Sequence, residues 1–161
     1  ERALTVAFGA MGTWDYGPND PANIETFGAG CTGSAGQLAL APLPWSGPWL
    51  GDSLEMEFIN QPPGFGLFTW GFSETGWSGL PLPISLTVLN LPSVPGCDLL
   101  VSPDINEFLF PGVTRYVSFP LPNAPFALGV TLRGQAGFFD QGLPGSPVVT
   151  SDAVRLTFGA K

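Results

Sequence analysis

Few residues in this chain are of a type and spacing to do chemistry. Glu55 and Glu57 alternate with Leu54, Met56 and Phe58, so both carboxylates fall on one strand face, about 6–7 Å apart at the backbone. That separation overlaps the spacing of glycosidase acid/base pairs. Glutamates at i and i+2 leave no room for a sugar ring between them, so a solvated strand face is the plainer reading. Asp15, Asn19, Asp20 and Asn23 could offer hard oxygen ligands to a calcium ion, as could Asp98, Asp104, Asn106 and Glu107. Neither group follows the EF-hand pattern with its closing glutamate, and Asx residues in Pro/Gly turns ordinarily bond their own backbone. Trp45, Trp49, Trp70 and Trp77 crowd into one third of the chain. Exposed indoles would make a sugar-stacking platform, while buried ones would serve a sandwich core.

Composition removes other chemistries. The chain has no histidine, so Ser-His-Asp and Cys-His triads, an imidazole base and histidine metal ligation are excluded. The serines lack a partner base, and Gly64-Phe65-Gly66 is too short and too apolar to cradle phosphate. Five Lys plus Arg face thirteen Asp plus Glu, a net charge of -8, so a polyanion would be repelled. No apolar run approaches the ~20 residues that span a bilayer. Glu1-Arg2-Ala3-Leu4 carries no signal-peptide pattern, and the chain is expected to be a mature form or an excised piece. The expectation is a non-enzyme without a cofactor, with calcium as the weak exception.

Those side chains must be positioned by strands. Glycine (22) and proline (18) make up about a quarter of the 161 residues, which disfavours long helices. The 44% hydrophobic content is nevertheless ample for a packed core. Alternating stretches cover residues 3–8, 53–59, 84–89, 113–119, 130–133 and 153–158, with weaker candidates at 37–41, 65–72, 97–101, 135–139 and 148–149. Turn residues such as Gly17-Pro18, Pro62-Pro63-Gly64, Pro95-Gly96 and Pro144-Gly145 punctuate them. Around nine or ten short strands at this spacing predict an all-β fold, an antiparallel β-sandwich or jelly roll, with an open barrel as the alternative.

Cys31 and Cys97 both lie in glycine-rich turn phrases and are too far apart for a CxxC motif. One disulfide in an exported protein is the favoured reading; two buried free thiols are the other.

Several phrases resemble a recurring, largely uncharacterised C-terminal module of secreted proteins from Planctomycetes and some deltaproteobacteria. Phe27-Gly28-Ala29-Gly30-Cys31-Thr32-Gly33-Ser34-Ala35-Gly36 is similar to its opening. Gly79-Leu80-Pro81-Leu82-Pro83 and Val94 to Asp104 resemble its centre, with the second cysteine. Pro120-Leu121-Pro122-Asn123 and Ser151 to Gly159 resemble its last third. The resemblance covers about residues 27–159. It implies an extracellular, β-rich, disulfide-bridged unit with a structural or attachment role. In the usual setting a larger protein precedes the module, whereas here a short arm does.

That arm divides the chain into residues 1–26, an N-terminal strand and linker, and residues 27–161, the β-sandwich. Leu4, Val6 and Phe8 share one face of the arm strand. Residues 9–24 could extend to roughly 50 Å, against a radius of gyration near 14 Å for the body. The expected function is an extracellular structural subunit that self-assembles by donating this strand, building a pilus-like filament. The alternative is a secreted carbohydrate-binding module that uses its tryptophans on polysaccharide.

Overall fold

Leu54, Met56 and Phe58 are buried, and Glu55 and Glu57 between them are part-exposed, as strict alternation requires. The same rule builds an all-β chain in the computed structural model, which describes residues 13–15, 22–110 and 116–161. In chain order the strands are β1 (Thr13–Asp15), β2 (Asn23–Phe27), β3 (Thr32–Gly33), β4 (Gly36–Gln37), β5 (Ala39–Pro42), β6 (Ser53–Ile59), β7 (Gly66–Gly71) and β8 (Gly76–Trp77). There follow β9 (Leu80–Pro81), β10 (Ile84–Ser85), β11 (Asp98–Leu99), β12 (Ile105–Leu109), β13 (Tyr116–Pro120), β14 (Thr131–Phe139) and β15 (Val148–Thr157).

Two antiparallel sheets form the sandwich. The larger runs β1-β2-β15-β14-β7-β12 and the smaller β13-β6-β5. Their inner faces share a core in which Phe58 of β6 meets Phe68 and Phe138, and Phe119 of β13 lies 5.0 Å from Phe68 and 4.3 Å from Trp70, centroid to centroid. β5 packs toward β15 and β13 toward β7.

A third layer covers the other face of the large sheet. Residues 72–104 fold over it with four two-residue strand pieces and a turn. Gln135, fully enclosed on β14, is its central fastening. Its carbonyl accepts from the Leu100 N–H, and its amide donates to the carbonyls of Asp98 and Ser151. The Val148 N–H donates to the Pro92 carbonyl at 2.6 Å. Arg133 and Arg155 clamp Glu74 where the cover begins, and Arg155 also pairs with Glu25. The Arg155 hydrogen bonds, above the opposing effect of burial, hold the Glu74 carboxyl below its usual range.

Several expectations change. The stretch 84–89 is a strand only at Ile84–Ser85. Beyond it the N–H groups of Val88, Leu89 and Asn90 bond three residues back, so Leu86 and Leu89 point into the protein from a turn. The stretches 130–133 and 135–139 are one strand, as are 148–149 and 153–158. A bulge places Ser151 and Asp152 opposite Ala136 and breaks the alternation of β15 between its two stretches, while Gly134 interrupts that of β14. The larger sheet already includes strands before Phe27: β1 pairs with β2, β2 pairs with β15, and Ile24 is buried. The linker expected over residues 9–24 is interrupted by β1, which pairs with β2.

Candidate functional site

The small sheet has three strands over a six-stranded partner, so among the described residues β12 on one flank and β1 and β2 on the other have no strand of the small sheet opposite them. β13 pairs with β6 on one side, and among the described residues no strand lies on its other side. Since β13 packs over β7, the next position outward lies over β12, the edge of the large sheet. Register puts Ile105 opposite Trp70 and Glu107 opposite Phe68, so both share the inner, core-facing side. An inner-facing isoleucine should be buried, yet Ile105 is 54% exposed, and Glu107 is exposed beside it. Among the described residues, the β13 edge and the exposed Ile105 and Glu107 of β12 thus have no covering strand. A strand laid there would gain main-chain partners and cover Ile105.

The expected donor residues Leu4, Val6 and Phe8 lie outside the described residues. The sequence reading named a donor strand but no strand edge to receive it. Ile105 gave no usable signal, because an isoleucine in an alternating strand reads as core.

The four tryptophans do not form one platform. Trp70 is buried in the core against Phe68 and Phe119. Trp77 roofs a slot beneath the cover. Trp45, 76% exposed, donates its indole N–H to Glu55 on the outer face of the small sheet. Trp49 is half-buried on a turn, its ring against Gly47. Core packing claimed the most apolar environment, and chain topology sent the others to different layers. Glu55 and Glu57 remain on the outer strand face.

The calcium-ligand groups are likewise not assembled. Asn19 and Asp20 lie outside the described residues. Asn23 donates its amide to Glu25. The Asp104 carboxylate accepts from the Ser102 hydroxyl and the Phe72 N–H, which hold it below the usual range. The Asn106 carbonyl accepts from the Thr69 hydroxyl. Among the described residues no group of three or more His, Cys, Asp or Glu is placed to hold a metal ion. No described helix is long and apolar enough to cross a membrane.

Cys31 and Cys97 form a disulfide with Cα atoms 5.0 Å apart. It joins the loop after β2 to the cover. Gly30, next to Cys31, has no room for a side chain: a Cβ there would sit 1.7 Å from the Leu38 carbonyl oxygen. This accounts physically for one glycine of the Phe27–Gly36 phrase.

Two carboxylates escaped sequence reasoning. Asp140 is fully buried and accepts from the Ser34 N–H and hydroxyl, both at 2.6 Å, and from the Gly142 N–H. Burial pushes its pKa up, but these donors together hold it below the ordinary value. Asp152, at the bulge, reaches across to accept the Leu40 N–H of β5 at 2.8 Å. Here burial dominates and raises the carboxyl to about 6.

Beneath the cover lies a slot of about 230 Å³. Leu67 and Gly137 belong to its floor, and Trp77, Leu86, Leu89 and Leu99 to its roof. Set against known proteins, the chain matches no family model, no curated protein and no solved structure.

Proposed function

We propose that this chain is a non-enzymatic, extracellular structural subunit that polymerises when the segment around Leu4, Val6 and Phe8 of one copy adds to the β13 edge of the next. The observation that carries this reading is a β13 edge with no neighbouring strand among the described residues, beside the exposed Ile105 and Glu107 of β12.

Reach supports donation between copies. β1 stands at one edge of the large sheet and β12 at the other, five strand spacings or about 24 Å apart. Residues 9–12, between an arm strand at 3–8 and β1, extend at most about 14 Å. A subunit's own β13 edge is therefore beyond its own arm. Donor and acceptor on opposite flanks make the contact heterologous and the assembly open-ended. Arg2 shares strand parity with Leu4, Val6 and Phe8, and can face Glu107 of β12. Burying three such apolar side chains contributes about 1.5–3 kcal/mol each before ordering costs. The disulfide fits an oxidising compartment outside the cytoplasm. The resemblance to the secreted module favours the same location.

The carbohydrate-binding alternative needs the tryptophans on one surface, and the burial of Trp70 disfavours it.

Sedimentation velocity tests the proposal. The full chain is expected to form polydisperse oligomers, whereas a chain lacking residues 1–10 and the Val6→Asp variant should remain monomeric. Equal oligomerisation of all three would refute strand donation.

A further inference from the structure

We infer that the slot between the six-stranded sheet and its cover binds a small uncharged apolar molecule of about the size of one aromatic ring. This does not depend on strand donation, because the slot and the β13 edge lie on opposite faces of the large sheet.

Size comes first. The slot measures about 230 Å³. An apolar cavity of about 150 Å³ suffices for benzene. A larger, flexible ligand would not fit without lifting the cover, and the cover is fastened. The disulfide, the Gln135 hydrogen bonds and the Pro92–Val148 contact hold it on several sides.

Chemistry comes second. No ionisable side chain lines the slot. Gln135 and the Asn106 carbonyl on its floor already have partners. Gln135 uses both ends on the cover backbone and Ser151, and the Asn106 carbonyl accepts from Thr69. A ligand that needs hydrogen bonds or charge neutralisation finds little there, while an apolar ring finds Trp77 and leucines.

The third observation is Gly137. It lies within the nine-residue strand β14, where glycine weakens a strand. It lines the slot, and a Cβ built on it meets nothing closer than 3.8 Å. No tight turn or close backbone contact requires glycine here, unlike at Gly30. What the missing side chain does is keep the floor of the slot open. Leu91, 41% exposed, and the exposed Asn106 mark the solvent side, through which a molecule would enter.

The test uses the full chain with toluene as the probe and benzoate as its charged counterpart, read by thermal denaturation and tryptophan fluorescence. Toluene is expected to raise the midpoint and perturb the emission, with the emission change lost in Trp77→Phe; benzoate should do neither. Gly137→Leu fills the slot, and should fold normally and weaken toluene binding by at least about tenfold. Should that variant fail to fold, Leu91→Arg places a charge at the mouth and is expected to weaken binding in the same direction. Toluene without effect on the parent protein, binding undiminished in the folded slot variants, or displacement of toluene by a peptide of residues 1–10 would overturn the inference.

Discussion

Asp152 is a carboxylate whose environment opposes its charge. Burial lifts its pKa to about 6 although the Leu40 N–H donates to it. A folded value above the unfolded one, near 4, means that the ionised form penalises folding. That penalty is full above about pH 7 and is relieved as pH falls through 6 toward 4. Glu74, Asp104 and Asp140 act oppositely: their lowered values give stability that is present above the unfolded carboxylate range and lost below it. Urea melts should therefore show stability rising from pH 7.5 to about 5 and then falling. Asp152→Asn should flatten the rise and add about 1–2 kcal/mol at pH 7.5, allowing for partial exposure. An unchanged pH profile in that variant would show that Asp152 is not the source. The disulfide belongs to the same scale. Replacing both cysteines by serine should cost roughly 4 kcal/mol by the loop-entropy relation for a separation of 66 residues, measured by denaturant unfolding. Stability unchanged by the double replacement would mean the bridge constrains nothing. The cysteines could be read as a pair because they are the two thiols of the chain. Asp140 and Gln135 could not be read, since their partners stand 106 and 35 residues away and nothing local marks them.

At the scale of strands, legibility followed alternation. β6 emerged with its bounds because Leu54, Met56 and Phe58 alternate with charged residues, and only the inner three are buried. β15 emerged in halves because the bulge at Ser151–Asp152 breaks its period, and β14 because Gly134 interrupts its alternation. Leu86 and Leu89 imitated the end of a strand while serving as the apolar side of a turn. The exposure of Ile105 was invisible for a related reason: alternation shows which side of a strand is apolar, and not whether another strand covers it. The proposed acceptor edge has its own test. Glu107→Arg should oppose Arg2 of an incoming strand and reduce oligomer formation. Combining it with Arg2→Glu should restore assembly, as scored by sedimentation. Failure of the double variant to recover would remove that ion pair from the account.

For the molecule as a whole, charge and geometry pull against each other. A subunit of net charge -8 repels its copies, so assembly should quicken when ionic strength rises from low to moderate, by screening. Light scattering that slows with added salt would instead point to ion pairs as the main attraction. Geometry then sets the form. Under the proposed strand donation, β1 and β12 at opposite edges of the large sheet would give each copy a donor side and an acceptor side at opposite flanks. Photo-crosslinking tests this most directly. Protein carrying benzoylphenylalanine in place of Phe8 is prepared with and without uniform ¹⁵N label, mixed, assembled, irradiated and analysed by mass spectrometry. The account predicts crosslinks from the arm to residues 105–120 that join labelled to unlabelled chains. Crosslinks confined within one chain, or landing away from β12 and β13, would contradict it.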